Sequence, residues 1–172
     1  PRVTKLLERG EYNLPKGEPL QPGVFAVMGA YPKDASANRL GLAQWLTARG
    51  HPLVSRVLIN RVWQRTFGEG LVRTPADFGL QGEQPTHPGL LDWLAVEFMD
   101  RGWSVKEMHR LLMTSEAYQM AAAYRSDADT AADPDNQLVW RYRPQRLEAE
   151  ALRDSIMTVS GGIDLTVGGE PI

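Results

Sequence analysis

From residue 38 onward, apolar residues recur at helical spacing; before it the pattern is lost. Between Asn38 and Arg49, Leu40, Ala43 and Leu46 share one face, widened by Leu42 and Trp45. Ser36 or Asn38 is placed to cap this helix and Gly50 to end it. His51-Pro52 breaks the chain. A longer helix is predicted over Leu53 to Phe67, with Val54, Leu58 and Val62 stepping by four and Val57 beside them. Thr74-Pro75-Ala76-Asp77 reads as a further helix start, with Thr74 as cap, Pro75 in the first turn and Asp77 at the positive end. Pro88 to about Arg101 carries the stripe Leu91, Leu94, Ala95 and Phe98. Ser104 and Glu107 form a capping box, and the helix behind them, with Met108, Leu111, Leu112 and Ser115 on one side, extends to about Tyr118.

Residues 122–136, AAYRSDADTAADPDN, are small and acidic and read as a flexible surface loop. Leu138 to Tyr142 is a short apolar run, extended or helical. A last helix is expected over Arg146 to Val159, with Leu147, Ala151, Leu152, Ile156 and Val159 inward and Gly161 as its stop. Residues 1–37 hold five Pro and four Gly and read as an extended arm with at most one short strand. The expected fold is all-α: a compact bundle of about five or six helices over 38–162, an arm over 1–37 and a C-terminal loop over 163–172.

Composition narrows the classes. At 172 residues and 42% hydrophobic, the chain can bury a core of its own. No run of about 18 apolar residues exists to span a membrane. The net charge of −2 speaks against a general nucleic-acid binder. The helices after His51 imitate a helix-turn-helix, but the segment from Gly68 to Thr74 is long for that motif. There is no Cys, which excludes disulfides, thiol catalysis and covalent c-type haem attachment within these residues. Arg outnumbers Lys by 15 to 4, favouring bidentate pairing with carboxylates. The first residue is Pro1 and the last five are GGEPI, so the chain is expected to be a piece of a longer protein.

Candidate chemistry is sparse. His51, His87 and His109 do not pair with one another or with carboxylates at ligand spacing, so no metal site is expected. Neither a nucleophile elbow nor a phosphate loop is present. Two polar groups remain. In the first, Asn60, Arg61, Arg65, Arg73 and Asp77, with His87 in the same polar stretch, would line a cleft with Trp63 as a stacking platform, which suits a glycan or anion surface. The bland alternative makes Trp63 and Phe67 core, with Arg73 at a helix C-terminus and Asp77 at a helix start. In the second, Arg146, Glu150, Arg153 and Asp154 lie at i,i+3 and i,i+4 spacings on the last helix. Glu150 and Asp154 can act as acid and base in a polysaccharide hydrolase or lyase, or can be neutralised by the two arginines as a structural network.

Several segments in fixed order, NRLGLAQWL, HPLVSRVLINRVWQRTFGEGLVRTPADFG, THPGLLDWLAVEF, WSVKEMHRLLMTSEAYQ and RLEAEALRDSIMTVSG, resemble the planctomycete-specific PSD1 domain family, a domain of unknown function. The resemblance covers about residues 38–162. It implies an extracytoplasmic multidomain parent, often with a cytochrome-type domain elsewhere in the chain. It supplies no catalytic residues and places no cofactor in this chain. The expected role is a non-catalytic accessory, binding or scaffolding domain. Its partners would be other domains of the same parent, including a c-type cytochrome domain, or a polysaccharide.

Overall fold

The computed structural model describes residues 3–168; the last part of the expected C-terminal loop, 169–172, lies outside the described residues. A short exposed hairpin comes first, β1 (Lys5–Leu7) against β2 (Pro15–Pro19), antiparallel with an irregularity between Lys5 and Leu6. The arm thus holds two strands where at most one was expected. Seven α-helices follow among the described residues: α1 (Arg39–Leu46), α2 (Val54–Phe67), α3 (Pro88–Asp100), α4 (Val105–Met113), α5 (Glu116–Gln119), α6 (Asp127–Ala132) and α7 (Ala149–Ser160). The all-α expectation holds. Tertiary contacts divide the chain into two compact units, one up to Ser115 and one from Glu116.

In the first unit α2 packs against α3 and α4. The α3 stripe behaves as its spacing requires: Leu91, Leu94, Ala95 and Phe98 are all buried. Met108 and Leu112 join them from α4, whose first amide turn is closed by Ser104 Oγ accepting from Glu107 N at 3.3 Å. Each of these Leu, Phe and Met side chains contributes about 1.5–3 kcal/mol on burial. On α2 the buried face is not the expected one. Ile59, Trp63 and Phe67 point inward, while Val54 and Val62 are half-buried and Leu58 is exposed. Both rows step by four, so periodicity alone could not choose. The row with the two aromatic rings removes more surface from water and takes the core. A similar correction applies to α1, where Trp45 is buried and Leu40 exposed. Asn38 is its cap, accepting from Leu40 N at 2.9 Å and Gly41 N at 3.1 Å.

The helix expected after Thr74 does not form. Thr74 and Asp77 close a turn instead: Asp77 N donates to Thr74 O at 2.9 Å, and Thr74 Oγ1 donates to Asp77 O at 2.9 Å. The side chains that would have started a helix bind back onto their own loop.

In the second unit the acidic stretch is more ordered than expected. Ser126 caps α6 by accepting from Asp129 N at 3.1 Å. Asp133 is buried, and its carboxylate accepts from Gln137 N at 2.9 Å and Leu138 N at 2.7 Å. Leu138 to Tyr142 is neither strand nor helix but a bend in which Val139 has φ +56°. α7 begins at Ala149, and Leu147, Ala151, Leu152, Ile156 and Val159, expected inward, are all exposed.

Candidate functional site

The polar stretch after α2 is organised by one buried amide. Asn60 has no exposed surface; its Nδ2 donates to Val72 O at 3.0 Å and its Oδ1 accepts from Val72 N at 2.9 Å. Fourteen residues further along, Thr86 N donates to Leu71 O at 2.9 Å. Residues 71–86 therefore leave the core and return to it through one hydrogen-bonded neck, in the manner of a compact Ω-loop. Gly70 belongs to the neck: a Cβ there would sit 2.5 Å from Val72 O and 2.8 Å from Asn60 Nδ2.

The loop is also tied within itself. Asp77 Oδ1 accepts from Gly79 N at 2.7 Å, and Thr74 Oγ1 accepts from Glu83 N at 3.0 Å. Gly82 lies flat on this knot, since a Cβ on it would fall on the Asp77 carbonyl oxygen. Arg73 ion-pairs with Glu69 at 2.7 Å and with Glu83 at 3.8 Å. It holds these two carboxylates together beside the loop's neck.

One side of the loop and the first turns of α2 and α3 enclose a cleft of about 330 Å³. Leu53, Val72, Phe78, Pro85, Pro88 and Leu91 supply apolar walls. Polar groups stand at its edge. Arg56 Nε pairs with Asp92 Oδ1 at 2.6 Å, and Arg56 Nη1 donates to Pro52 O at 2.6 Å. Glu83 and Gln84 complete the lining. The volume falls within the range of ordinary ligand sites, and apolar walls with a few fixed polar groups are their usual chemistry. None of the residues that line it was a sequence candidate. The signal was present in the prolines at 85 and 88 around a Gly-rich loop, but the cleft exists only once the loop's neck is pinned.

The expected candidates disperse. Trp63 is not a stacking platform: it is 6% exposed and stacked on Phe67, ring centroids 4.2 Å apart. Arg61 is exposed and lines a shallow recess of about 220 Å³ with Gln64, Arg65, Pro75 and Ala76. Asp77 acts inside the loop, and Arg73 pairs with Glu69 before it and Glu83 within it, as above. His87 Nδ1 lies 3.0 Å from Thr86 Oγ1 at the start of α3. His51, in contrast, is buried. Its Nδ1 accepts from Leu53 N and Val54 N, both at 3.3 Å, and its ring meets Trp45 edge-on at 4.7 Å. Burial pushes its pKa below the usual imidazole value. Among the described residues no group of His, Asp and Glu is placed to hold a metal ion.

The charged group of the last helix belongs to the second unit and is not the expected network. Arg146 precedes α7, so it lacks the helical register that i,i+4 pairing with Glu150 requires. Arg153 pairs with its neighbour Asp154 at 3.2 Å, not with Glu150. Arg146, Glu150, Arg153 and Asp154 are all exposed to solvent.

No described helix is long and apolar enough to cross a membrane. Neither the curated proteins nor the solved structures offer a match to the chain. A family model, PSD1, described as a protein of unknown function (DUF1553), matches residues 38–172. That span takes in the Asn60 clamp, the loop it pins, every wall of the cleft and the whole described part of the second unit, and the chain therefore belongs to the PSD1 family.

Proposed function

We propose that this domain is a non-catalytic accessory module that holds an extended peptide segment of a neighbouring domain in the cleft beside the 71–86 loop. One observation carries the reading: the cleft's walls are apolar and proline-rich, while the charged groups at its edge are already paired within the protein. Apolar walls take an apolar side chain. A rim of both signs, with the Gln84 amide, suits the donors and acceptors of a peptide backbone. Both carboxylates at the cleft's edge are held in ion pairs, and Glu150 and Asp154 are exposed to solvent. Acid–base catalysis is therefore the weaker reading.

The partner would be supplied by the same parent protein, with a cytochrome-type domain as the neighbour that the family resemblance implies. Extracytoplasmic residence belongs to the same reading and rests on that resemblance. No cofactor is required for it.

The test is shift mapping on the isotope-labelled 172-residue chain. One probe is a capped peptide of alternating Pro and Leu; the other is a neutral glucan oligosaccharide. The peptide is expected to shift the amides of Phe78, Gly79, Gln84 and Asp92 saturably. Shifts at those amides with the oligosaccharide alone would replace peptide by polysaccharide, and no shift with either would remove the cleft as a binding site.

A further inference from the structure

A second recess, within the unit that begins at Glu116, holds about 230 Å³ and is lined by Arg125, Arg141 and Arg143. Among the described residues, these three arginines share the lining with one acidic residue, Asp135. Neither Arg125 nor Arg141 forms an ion pair among the described residues, although acidic side chains abound in the neighbouring sequence.

The arginines are held in place by the backbone around them. Arg125 Nη1 donates to Tyr124 O at 3.1 Å. Arg143 Nη2 donates to the carbonyl oxygen of Asp135. The guanidinium carbon of Arg141 lies 4.7 Å from the centroid of the Trp140 ring. Below them the bend is built around buried Asp133. Besides the two amides its carboxylate binds, its carbonyl oxygen accepts from Trp140 Nε1 at 3.0 Å. Asn136 grips Arg141 by both main-chain groups, donating to Arg141 O at 2.9 Å and accepting from Arg141 N at 3.3 Å. Val139 is held at φ +56°, where a β-branched residue is strained. Strain kept in place by a surrounding network is a recurrent mark of a functional segment.

We propose that this recess is a binding site for one compact tetrahedral oxyanion, a sulfate or phosphate group carried as an ester. Arg offers a planar fork of donors that meets two oxygens at once, which Lys cannot. The recess is smaller than an ordinary drug-sized pocket, so it suits one group and not a whole chain of sugars. The site does not rest on the cleft of the first unit, and failure of either leaves the other standing.

Calorimetric titration of the 172-residue chain with sodium sulfate, and separately with sodium phosphate, at constant ionic strength tests it. A sulfated and a phosphorylated monosaccharide then distinguish the two sources; whichever binds more tightly names the ester. One saturable site is expected, weakened at least about tenfold in Arg125→Gln or Arg141→Gln. Arg141→Lys keeps the charge but loses the fork, and is expected to weaken binding as well. If the variants lose their fold by circular dichroism, the side-chain Nε–H signals of Arg125 and Arg141 in the unaltered protein must move with sulfate or phosphate. Absence of saturable binding to the folded protein, equal binding by folded variants, or unmoved arginine signals would overturn the proposal.

Discussion

Asn60 holds Val72 by both of its main-chain groups, with bonds of 3.0 and 2.9 Å, and all of these atoms are buried. This is the arrangement of a strand pairing with one side chain in place of a second strand. It satisfies two backbone groups that would otherwise be left unpaired in the core. Replacing Asn60 by Ala removes both bonds at once. A stability loss of about 2–4 kcal/mol is expected in urea unfolding, because a buried donor and a buried acceptor are orphaned together. A loss below about 0.5 kcal/mol would mean that the loop neck relaxes without it.

Gly82 tests the loop above the neck. A side chain there would collide with the Asp77 carbonyl oxygen, so Gly82→Ala must displace the knot that holds Glu83 N on Thr74 Oγ1. Amide exchange at Glu83 and Thr86 is expected to speed up while α3 and α4 keep their protection. Unchanged exchange at Glu83 would show that the knot is not closed in solution.

The choice of face on α2 can be checked with two tryptophans. Trp63 lies in the core, whereas Trp93 on α3 is 51% exposed. Trp63→Ala is expected to cost about 3–5 kcal/mol of stability, and Trp93→Ala less than about 1 kcal/mol. Equal losses by chemical denaturation would mean that the faces are assigned wrongly.

His51 links stability to pH. Burial holds its folded-state pKa below 6.5, so the unfolded chain takes up that proton first as pH falls. The contribution is fully present above about pH 6.5. It drains as pH drops from there toward the folded value, and is constant below it. His51→Asn supplies an amide oxygen for capping but cannot titrate. Denaturation midpoints from about pH 8 to 5 are expected to fall more steeply for the unaltered protein than for the variant. Parallel curves would place the titration elsewhere.

Much of this fold was legible in the sequence. The α3 stripe and the Ser104 cap were readable because both are local: large aliphatic groups at one spacing, and a hydroxyl three residues before the amide it binds. The face of α2 was not, because Val54, Leu58 and Val62 recur with the same period as Ile59, Trp63 and Phe67. Asn60 reads as polar in the sequence, but its role as a clamp is not local, since its partner is a main-chain group twelve residues away. The cleft had the same defect: Leu53, Phe78 and Leu91 come from three separate segments. The arginine recess was missed because an acidic, small-residue stretch looks disordered unless Asp133 is known to be buried. α7 shows the opposite failure. Its amphipathic spacing is real, but nothing among the described residues covers Leu152, Ile156 and Val159, which are 51%, 60% and 91% exposed.

The cleft as a recognition site is tested most directly by Phe78, an apolar wall residue that is not part of the loop's hydrogen-bonded knot. The measurement is the dissociation constant of the Pro-Leu peptide for the unaltered protein and for Phe78→Ala, with the melting temperature of each recorded alongside. Affinity is expected to fall at least about tenfold with little change in melting temperature, since a half-exposed wall side chain contributes more to a ligand than to the core. Unchanged affinity, or a fall in affinity that simply follows a lost fold, would contradict the assignment.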